Sequence, residues 1–573
     1  MAADATCILD TAFGAGAAFL RAWQDFADAL PRPAQLHYVG LIELGHWPLD
    51  FSAIAQATSA ESGTHTHALI QAVGALSIGE GPSPGFYRLP FDQGRVLLTL
   101  CLGPRDASLA QLVMQADHIV LGGDQVCTAS ELHSLQALAR RGTTLAFAGS
   151  TRQDAGNPAL DAALWKPRGA GTRVFDPAWT LRSSRTKPVK VFEKPAHCTV
   201  IGAGISGAMV ARTLALRGWQ VTVLEQHAQA GAGASGLPAG LVSASGNSPA
   251  DPLYGLTRSA YHLMRQMLHS MLVQSEDWGE GGAMRAYAPI ARRRKTSTGQ
   301  FALSPDAAGL ADTNARRPWR AEALWLKPQA LIHTCLSTPG VTLQCEAAVQ
   351  RLNFEAGQWQ ALDARGHAIA SSELLVLCNA MDAARLLAKT DEAPADILSS
   401  AARRSLTQLR SAYGSISSGP AADLPRRPAL PVQGHGHFLP AVPDTQGLQW
   451  LAGAGFEADD SASEADCHKA NLARIAQMLP DVSPTLQAQY EAGQVGLWRG
   501  QRCVSHDRLP LVGPATTSGE SGLWMCLAMG ARGLTFAALC AQLLAARLMA
   551  EPLPLPKRLA RLLDVQRLQG RGS

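Results

Sequence analysis

The 573-residue sequence predicts an α/β protein: an N-terminal open sheet, then a second open sheet into which an antiparallel β region is inserted. Three observations lead there. Short apolar runs alternate with helical stretches over the first ~180 residues. A compact unit of strand, glycine turn, helix and strand occupies Cys198 to Glu225. From about 280 to 450, strand-like runs mix with loops rich in Pro, Arg and Gly.

The elements follow in order. Cys7-Ile8-Leu9 reads as a strand end, followed by a glycine-bearing turn and a helix from Ala17 to Ala29. His37 to Ile42, Arg95 to Leu100 and His118 to Leu121 read as further strands of one α/β sheet over residues 1–180. Leu181 to Pro195 is basic and polar, and reads as a linker. The second lobe spans 196–573, with cofactor-binding parts at about 196–280 and 495–560 around the β insert. Within the insert, Val341 to Gln344 and Leu374 to Leu377 read as strands. Leu539 to Ala550 reads as an amphipathic helix, ended by Pro552-Leu-Pro-Leu-Pro556.

Composition narrows the function. Hydrophobic residues make up 47% and charged residues 17%, enough to bury a large core. The net charge of +4 permits a polyanionic partner without demanding one. The 11 cysteines form no C-x-x-C pair, which argues against structural zinc and against a redox dithiol. We expect no metal, no membrane span, no signal peptide, and a cytoplasmic monomer.

The strongest motif is Val200-Ile-Gly-Ala-Gly-Ile-Ser-Gly207, between one strand and a helix. Gly202 allows the tight turn, Gly204 lets the backbone approach a pyrophosphate, and Gly207 lets the helix pack on the strand. The helix start offers free N–H groups and a positive dipole end to that anion. Glu225 ends the next strand, where an acid binds adenosine ribose hydroxyls. A lone G-x-G-x-x-G also occurs in plain tight loops, but here strand, helix, Arg217-Gly218 and acid agree. FAD is favoured over NAD by Gly231-Ala-Gly-Ala-Ser-Gly236, with Ser235 and Gly236. This stretch resembles one that lies against FAD in the glycine-oxidase and D-amino-acid-oxidase superfamily. Near the end, Gly530-Ala-Arg-Gly-Leu534 resembles that superfamily's glycine turn beside the flavin ring. The resemblance implies FAD contacts from Gly530, Gly533 and Leu534.

Taken together, Ile201 to Gly207, Gly233 to Gly236, Gly500-Gln-Arg-Cys-Val-Ser-His-Asp-Arg-Leu-Pro-Leu-Val-Gly513 and Gly530 to Leu534 resemble the MnmC family. That resemblance implies oxidation of the C–N bond of carboxymethylaminomethyl-uridine at the tRNA wobble position, then methylation from S-adenosylmethionine. Gly434-His-Gly-His-Phe-Leu-Pro440 and Gly453 to Phe456 resemble its strand pair over the substrate side of the flavin. The N-terminal lobe resembles the methyltransferase part more loosely. Leu9-Asp-Thr-Ala-Phe-Gly-Ala-Gly16 resembles its glycine-rich loop, implying S-adenosylmethionine contacts from Gly14 and Gly16. Glu43 ends the second strand, placed to hold the cofactor ribose. Three departures lead us to expect a truncated, degenerate domain. The chain begins almost on the first strand. Leu121-Gly-Gly-Asp-Gln125 replaces an Asp-Gly-Phe-Ala-Pro motif. Ala12 stands where the family has Gly, a change that would crowd a position needing glycine.

Substrate recognition needs groups for an amine and a carboxylate. Arginine's planar fork suits a carboxylate, and Arg502 and Arg532 lie in the flavin-side motifs. The plainer reading of each is a surface ion pair. His435 and His437 lie in the strand-pair motif and could face the flavin or solvent. Basic clusters at Arg292 to Lys295, Arg316-Arg317, Arg403-Arg404 and Arg426-Arg427 point modestly to tRNA, although single charged runs are more often solvated loops. The alternatives are a small-molecule amine or amino-acid oxidase and a non-catalytic, FAD-holding tRNA-binding protein.

Overall fold

The computed structural model describes residues 5–31, 33–57, 63–78, 81–122, 127–147, 165–167, 174–177, 192, 194–246, 250–286, 319–388, 398–422, 424–453, 455, 460–516 and 521–568. Leu181 to Val191, Arg292 to Lys295 and Arg316-Arg317 lie outside them.

The N-terminal lobe is an eight-stranded sheet. Its centre is parallel: Ala5–Asp10 pairs with Gln35–Ile42 on one side and Ala116–Leu121 on the other. Gln35–Ile42 is buried at every position, as a central strand covered on both faces must be. The helix Ala17–Asp28 follows the glycine loop and buries Phe19, Trp23 and Phe26 against the sheet.

The second lobe is built on a six-stranded sheet whose core strands, His197–Ile201, Gln220–Leu224 and Leu374–Leu377, run parallel. Val341–Gln344 and Leu374–Leu377 were expected in the β insert. They are strands, but both return to this sheet. The buried apolar run Leu374–Leu377 suits the interior of a sheet covered by helices, while the largely exposed Val341–Gln344 forms its edge. The insert proper is a seven-stranded sheet in which Arg410–Pro420, His437–Asp444, Gly447–Gly453 and Gly496–Val504 pair antiparallel.

Two other expectations change. The tail helix is Gly533–Met549 and is buried nearly all round, not amphipathic. It lies against the helices Ile205–Ala215 and Pro252–Met271, so it has no solvent face to keep polar. With the turn before it, the stretch Gly530–Met549 is long and apolar enough to cross a membrane, yet 78% of its apolar window is buried inside the protein. The linker also ends earlier than expected. Phe192 is a core residue stacked edge-on against Trp219, with its N–H on the Leu548 carbonyl at 3.1 Å.

The lobes meet through buried polar contacts. The edge strand Gly85–Phe91 lies on Pro252–Met271, where Ser259 Oγ donates to the Phe86 carbonyl at 2.9 Å. Arg258 joins Glu322 at 2.5 Å and the Gly81 carbonyl at 2.6 Å. Arg217 makes two 2.7 Å bonds to Glu551, which lies 3.6 Å from His37 of the N-terminal sheet. Burial pushes the Glu551 carboxyl up, but Arg217 and His37 outweigh it and hold it well below the usual carboxylate range.

Candidate flavin site

One large cavity of about 1730 Å³ opens where the parallel sheet meets the inserted sheet. Its floor at one end is the turn Gly202–Gly204. Gly202 has φ 100°, and a Cβ there would sit 3.0 Å from the backbone of Asn379. A Cβ on Gly207 would lie 1.9 Å from the Gly202 carbonyl oxygen, so the helix can approach only as glycine. Ser235 Oγ accepts from Ile205 N at 3.0 Å, tying the second glycine stretch to the helix start. Gly204, Glu225, Ser235, Gly530, Gly533 and Leu534 all line the cavity. Gly236 does not line it; its Cα backs onto the Gly231 carbonyl. Glu225 is 7% exposed and accepts from Ala203 N at 2.9 Å and His227 N at 3.0 Å.

A dinucleotide fits this chemistry. The helices Ile205–Ala215 and Gly533–Met549 both begin at the cavity wall, giving two positive dipole ends. The Asn379 Oδ1 is buried without a hydrogen-bond partner among the described residues, and Asn379 lines the same end.

The other end is the inserted sheet. His437, Gly453, Ile416 and Trp498 form one row across four strands. Trp498, Gly500 and Arg502 then share a face by strand alternation and all line the cavity. Glycines clear the room: the Arg502 guanidinium lies over Gly414 and the Trp498 ring over Gly500. Arg502 Nη1 donates to the Gly455 carbonyl at 2.8 Å. The His437 Nε2 is shut from solvent with no hydrogen-bond partner among the described residues. Burial, and then the Arg502 charge, push this imidazole down to about 4, so it is neutral at pH 7. His435 is exposed at the same wall.

Arg532 lines the cavity beside Gly530. Of the basic clusters, Arg403-Arg404 and Arg426-Arg427 are described and neither lines the cavity. Arg426 instead pairs with Asp481 at 3.6 Å. The arginines that do line it, Arg285, Arg410 and Arg508 among them, are isolated in sequence. No run of charge marks them, and only the motif around Gly500 to Gly513 hinted at Arg508.

In the N-terminal lobe, Gly14 and Gly16 have φ 55° and 87°, and Gly16 caps the helix Ala17–Asp28. Glu43 is exposed at the end of Gln35–Ile42. The crowding expected at Ala12 does not arise: Ala12 is exposed and is not among the described residues with positive φ. Its N–H donates to Asp10 Oδ1 at 2.9 Å, and Tyr38 OH donates to Oδ2 at 2.6 Å. Among the described residues, no group of three or more His, Cys, Asp or Glu could hold a metal ion.

The FAD dependent oxidoreductase family matches residues 197–547. The tRNA 5-methylaminomethyl-2-thiouridine biosynthesis bifunctional protein MnmC of Polaromonas naphthalenivorans (strain CJ2) is 37% identical over 99% of this chain and 91% of its own. The protein of that name from Polaromonas sp. (strain JS666 / ATCC BAA-500) is 36% identical over 98% and 90%. A solved glycine oxidase from Bacillus cereus ATCC 14579 shares 15% identity at a TM-score of 0.46, over 62% of this chain and 97% of its own. The chain is a member of the MnmC family, and its second lobe is an FAD-dependent oxidoreductase.

Proposed function

We propose that the second lobe oxidises the C–N bond of carboxymethylaminomethyl-uridine at the tRNA wobble position, in the cytoplasm. FAD would be held by Gly202, Gly204, Glu225 and Ser235 at one end, with Gly207 letting the helix close on the turn, and by the Gly530–Leu534 turn at the other, and would supply the hydride acceptor. The methylene carbon of the carboxymethyl arm would give up a hydride and the amine nitrogen a proton, leaving the C=N bond on that arm. Water then splits the resulting imine, releasing glyoxylate and leaving aminomethyl-uridine. The observation that carries this reading is one cavity that joins the glycine turn to the sheet face bearing Arg502 and His437.

The roles follow from the environments. Arg502 orients the carboxylate of the carboxymethyl arm, because its fork can bind both oxygens. His437 stays neutral and offers Nε2 as an acceptor to the amine N–H, which favours the uncharged amine that hydride loss requires. Anaerobic mixing tests the reaction. Bleaching of the flavin by modified tRNA, with glyoxylate released, is expected. Bleaching by free glycine alone, or by nothing, overturns it.

For the first lobe, we propose that S-adenosylmethionine binds at the Gly14–Gly16 turn with Glu43 on its ribose, supporting methylation of the aminomethyl product. The positive φ of both glycines supports this, as does the bifunctional name that the relatives carry. Calorimetry should show binding in the wild type and loss in E43A. No binding to the wild type would leave the lobe as a docking element.

A further inference from the structure

Seven arginines line the flavin cavity against two acids, Glu225 and Asp382. This is a steep local excess in a chain whose net charge is only +4. Some of it is neutralised: Arg385 pairs with Asp382 at 3.1 Å, and Arg499 pairs with Asp460. Glu225 and the glycine turn lie at the far end, where the pyrophosphate would sit.

Three of the remaining arginines sit on neighbouring segments of the cavity wall. Arg410 opens its strand opposite Val504. Val504 in turn bridges to Met529. Arg508 follows Val504 in a turn closed by its N–H on the Ser505 carbonyl at 3.1 Å. Arg532 follows Met529, whose carbonyl accepts its N–H at 3.3 Å. Arg410 and Arg508 are exposed, and Arg532 is half-buried. None of the three side chains has a hydrogen bond or ion pair among the described residues. Arg508 adopts φ 61°, a left-handed conformation rare for a side chain of its size. Three cations gathered with one acid, Asp251, acting on Arg532 alone repel one another, and a bound anion lowers that repulsion.

We propose that Arg410, Arg508 and Arg532 form a phosphate clamp at the cavity mouth, holding the backbone of an RNA strand beside the nucleoside being oxidised. The inference rests on the tRNA reading above, and it takes Arg532 from the substrate carboxylate to the RNA backbone. Arg532 supports it: burial and then the Arg508 charge lower its proton affinity, and Arg508 weighs more than the acid Asp251. A phosphate offers the charge and the several oxygens that three guanidiniums can share.

The test uses the FAD-loaded full chain. R410Q/R508Q is compared with wild type for tRNA binding across a salt series, and for flavin reduction by modified tRNA and by the free carboxymethylaminomethyl-uridine nucleoside. The clamp predicts a log K against log salt slope shallower by about two, because each arginine removed leaves one phosphate with its counterion still bound. It also predicts a ratio of KM for tRNA to KM for nucleoside that rises at least tenfold. An unchanged slope and ratio overturns it. An equal KM rise for both substrates overturns it too, since the arginines would then hold the substrate's own carboxylate. Flavin content reports folding. If the double variant loses flavin, R410Q alone is read instead, with a slope change of about one. A wild-type flavin that modified tRNA does not reduce defeats the proposed reaction itself. A reducible wild type with unaltered variants defeats only the clamp.

Discussion

Alanine at Gly207 would put a methyl group 1.9 Å from the Gly202 carbonyl oxygen and 3.1 Å from its carbon, where ordinary contact begins at 3.4 Å. Both collision partners are backbone, so no side-chain rotation relieves them. Helix Ile205–Ala215 or the turn must shift by more than an ångström, and the turn is the part that meets the cavity. Overpacking in a close-packed interior costs typically about 1–3 kcal/mol. A backbone clash belongs at the upper end of that range. If the strain falls on the turn proposed to cradle the pyrophosphate, about 2–3 kcal/mol would appear as a roughly 30- to 150-fold loss in FAD affinity, at 1.4 kcal/mol per tenfold. The assay is titration of apoprotein with FAD, followed by flavin fluorescence, with circular dichroism to show that the fold persists. G207A with FAD affinity within threefold of wild type, and native circular dichroism, would refute the reasoning. The close approach of Gly207 to Gly202 would then not set the cofactor turn.

E551Q removes one charge from a buried pair and leaves Arg217 uncompensated at the lobe interface, which should cost about 3–5 kcal/mol. Limited proteolysis should cut the lobes apart at lower urea than in wild type. R502K keeps the charge but loses the planar fork. KM for the tRNA substrate should rise about tenfold or more with flavin content intact, since hydrogen bonds to charged groups are worth about 1.5–3 kcal/mol. Steady-state kinetics decide it, and an unchanged KM removes Arg502 from carboxylate binding. His437 titrates near 4 when folded, against 6.5 for an ordinary imidazole. Between those values the unfolded chain holds more protons, so stability is full above pH 6.5 and falls as pH drops towards 4. The loss should not exceed about 3.5 kcal/mol, at about 1.4 kcal/mol per pH unit over the shift from 6.5 to about 4. Urea melts of H437N across that range should show a flatter acid limb, and an identical limb would exclude His437 as its source.

The geometry of the glycine turn was legible because its demands are local. Gly202, Gly204, Gly207 and Glu225 lie within one strand–helix–strand unit, and the backbone needs that make them glycines act over a few residues. The family match over residues 197–547 agrees with that motif. The tail helix misled, since its one arginine, Arg547, marks no solvent face. In fact Arg547 is spent inside, donating to the Val512 carbonyl at 2.6 Å and the Ala560 carbonyl at 2.8 Å. Likewise Val341–Gln344 and Leu374–Leu377 were recognisable as strands, but strand partners are chosen by tertiary packing.

The substrate end resisted the same approach for a different reason. Arg410, Arg508 and Arg532 are single residues on separate segments, brought together only by pairing across Val504 and Met529. Reading charge as runs picked out Arg403-Arg404 and Arg426-Arg427, which lie off the cavity wall. A run concentrates charge along the chain, where it raises local repulsion and favours solvated loops. A binding wall concentrates charge across strands, so that each segment stays nearly neutral while the surface does not. The two patterns answer different physical demands. For an enzyme that must hold a polyanion beside a buried flavin, the second is the one that tolerates folding first and binding afterwards.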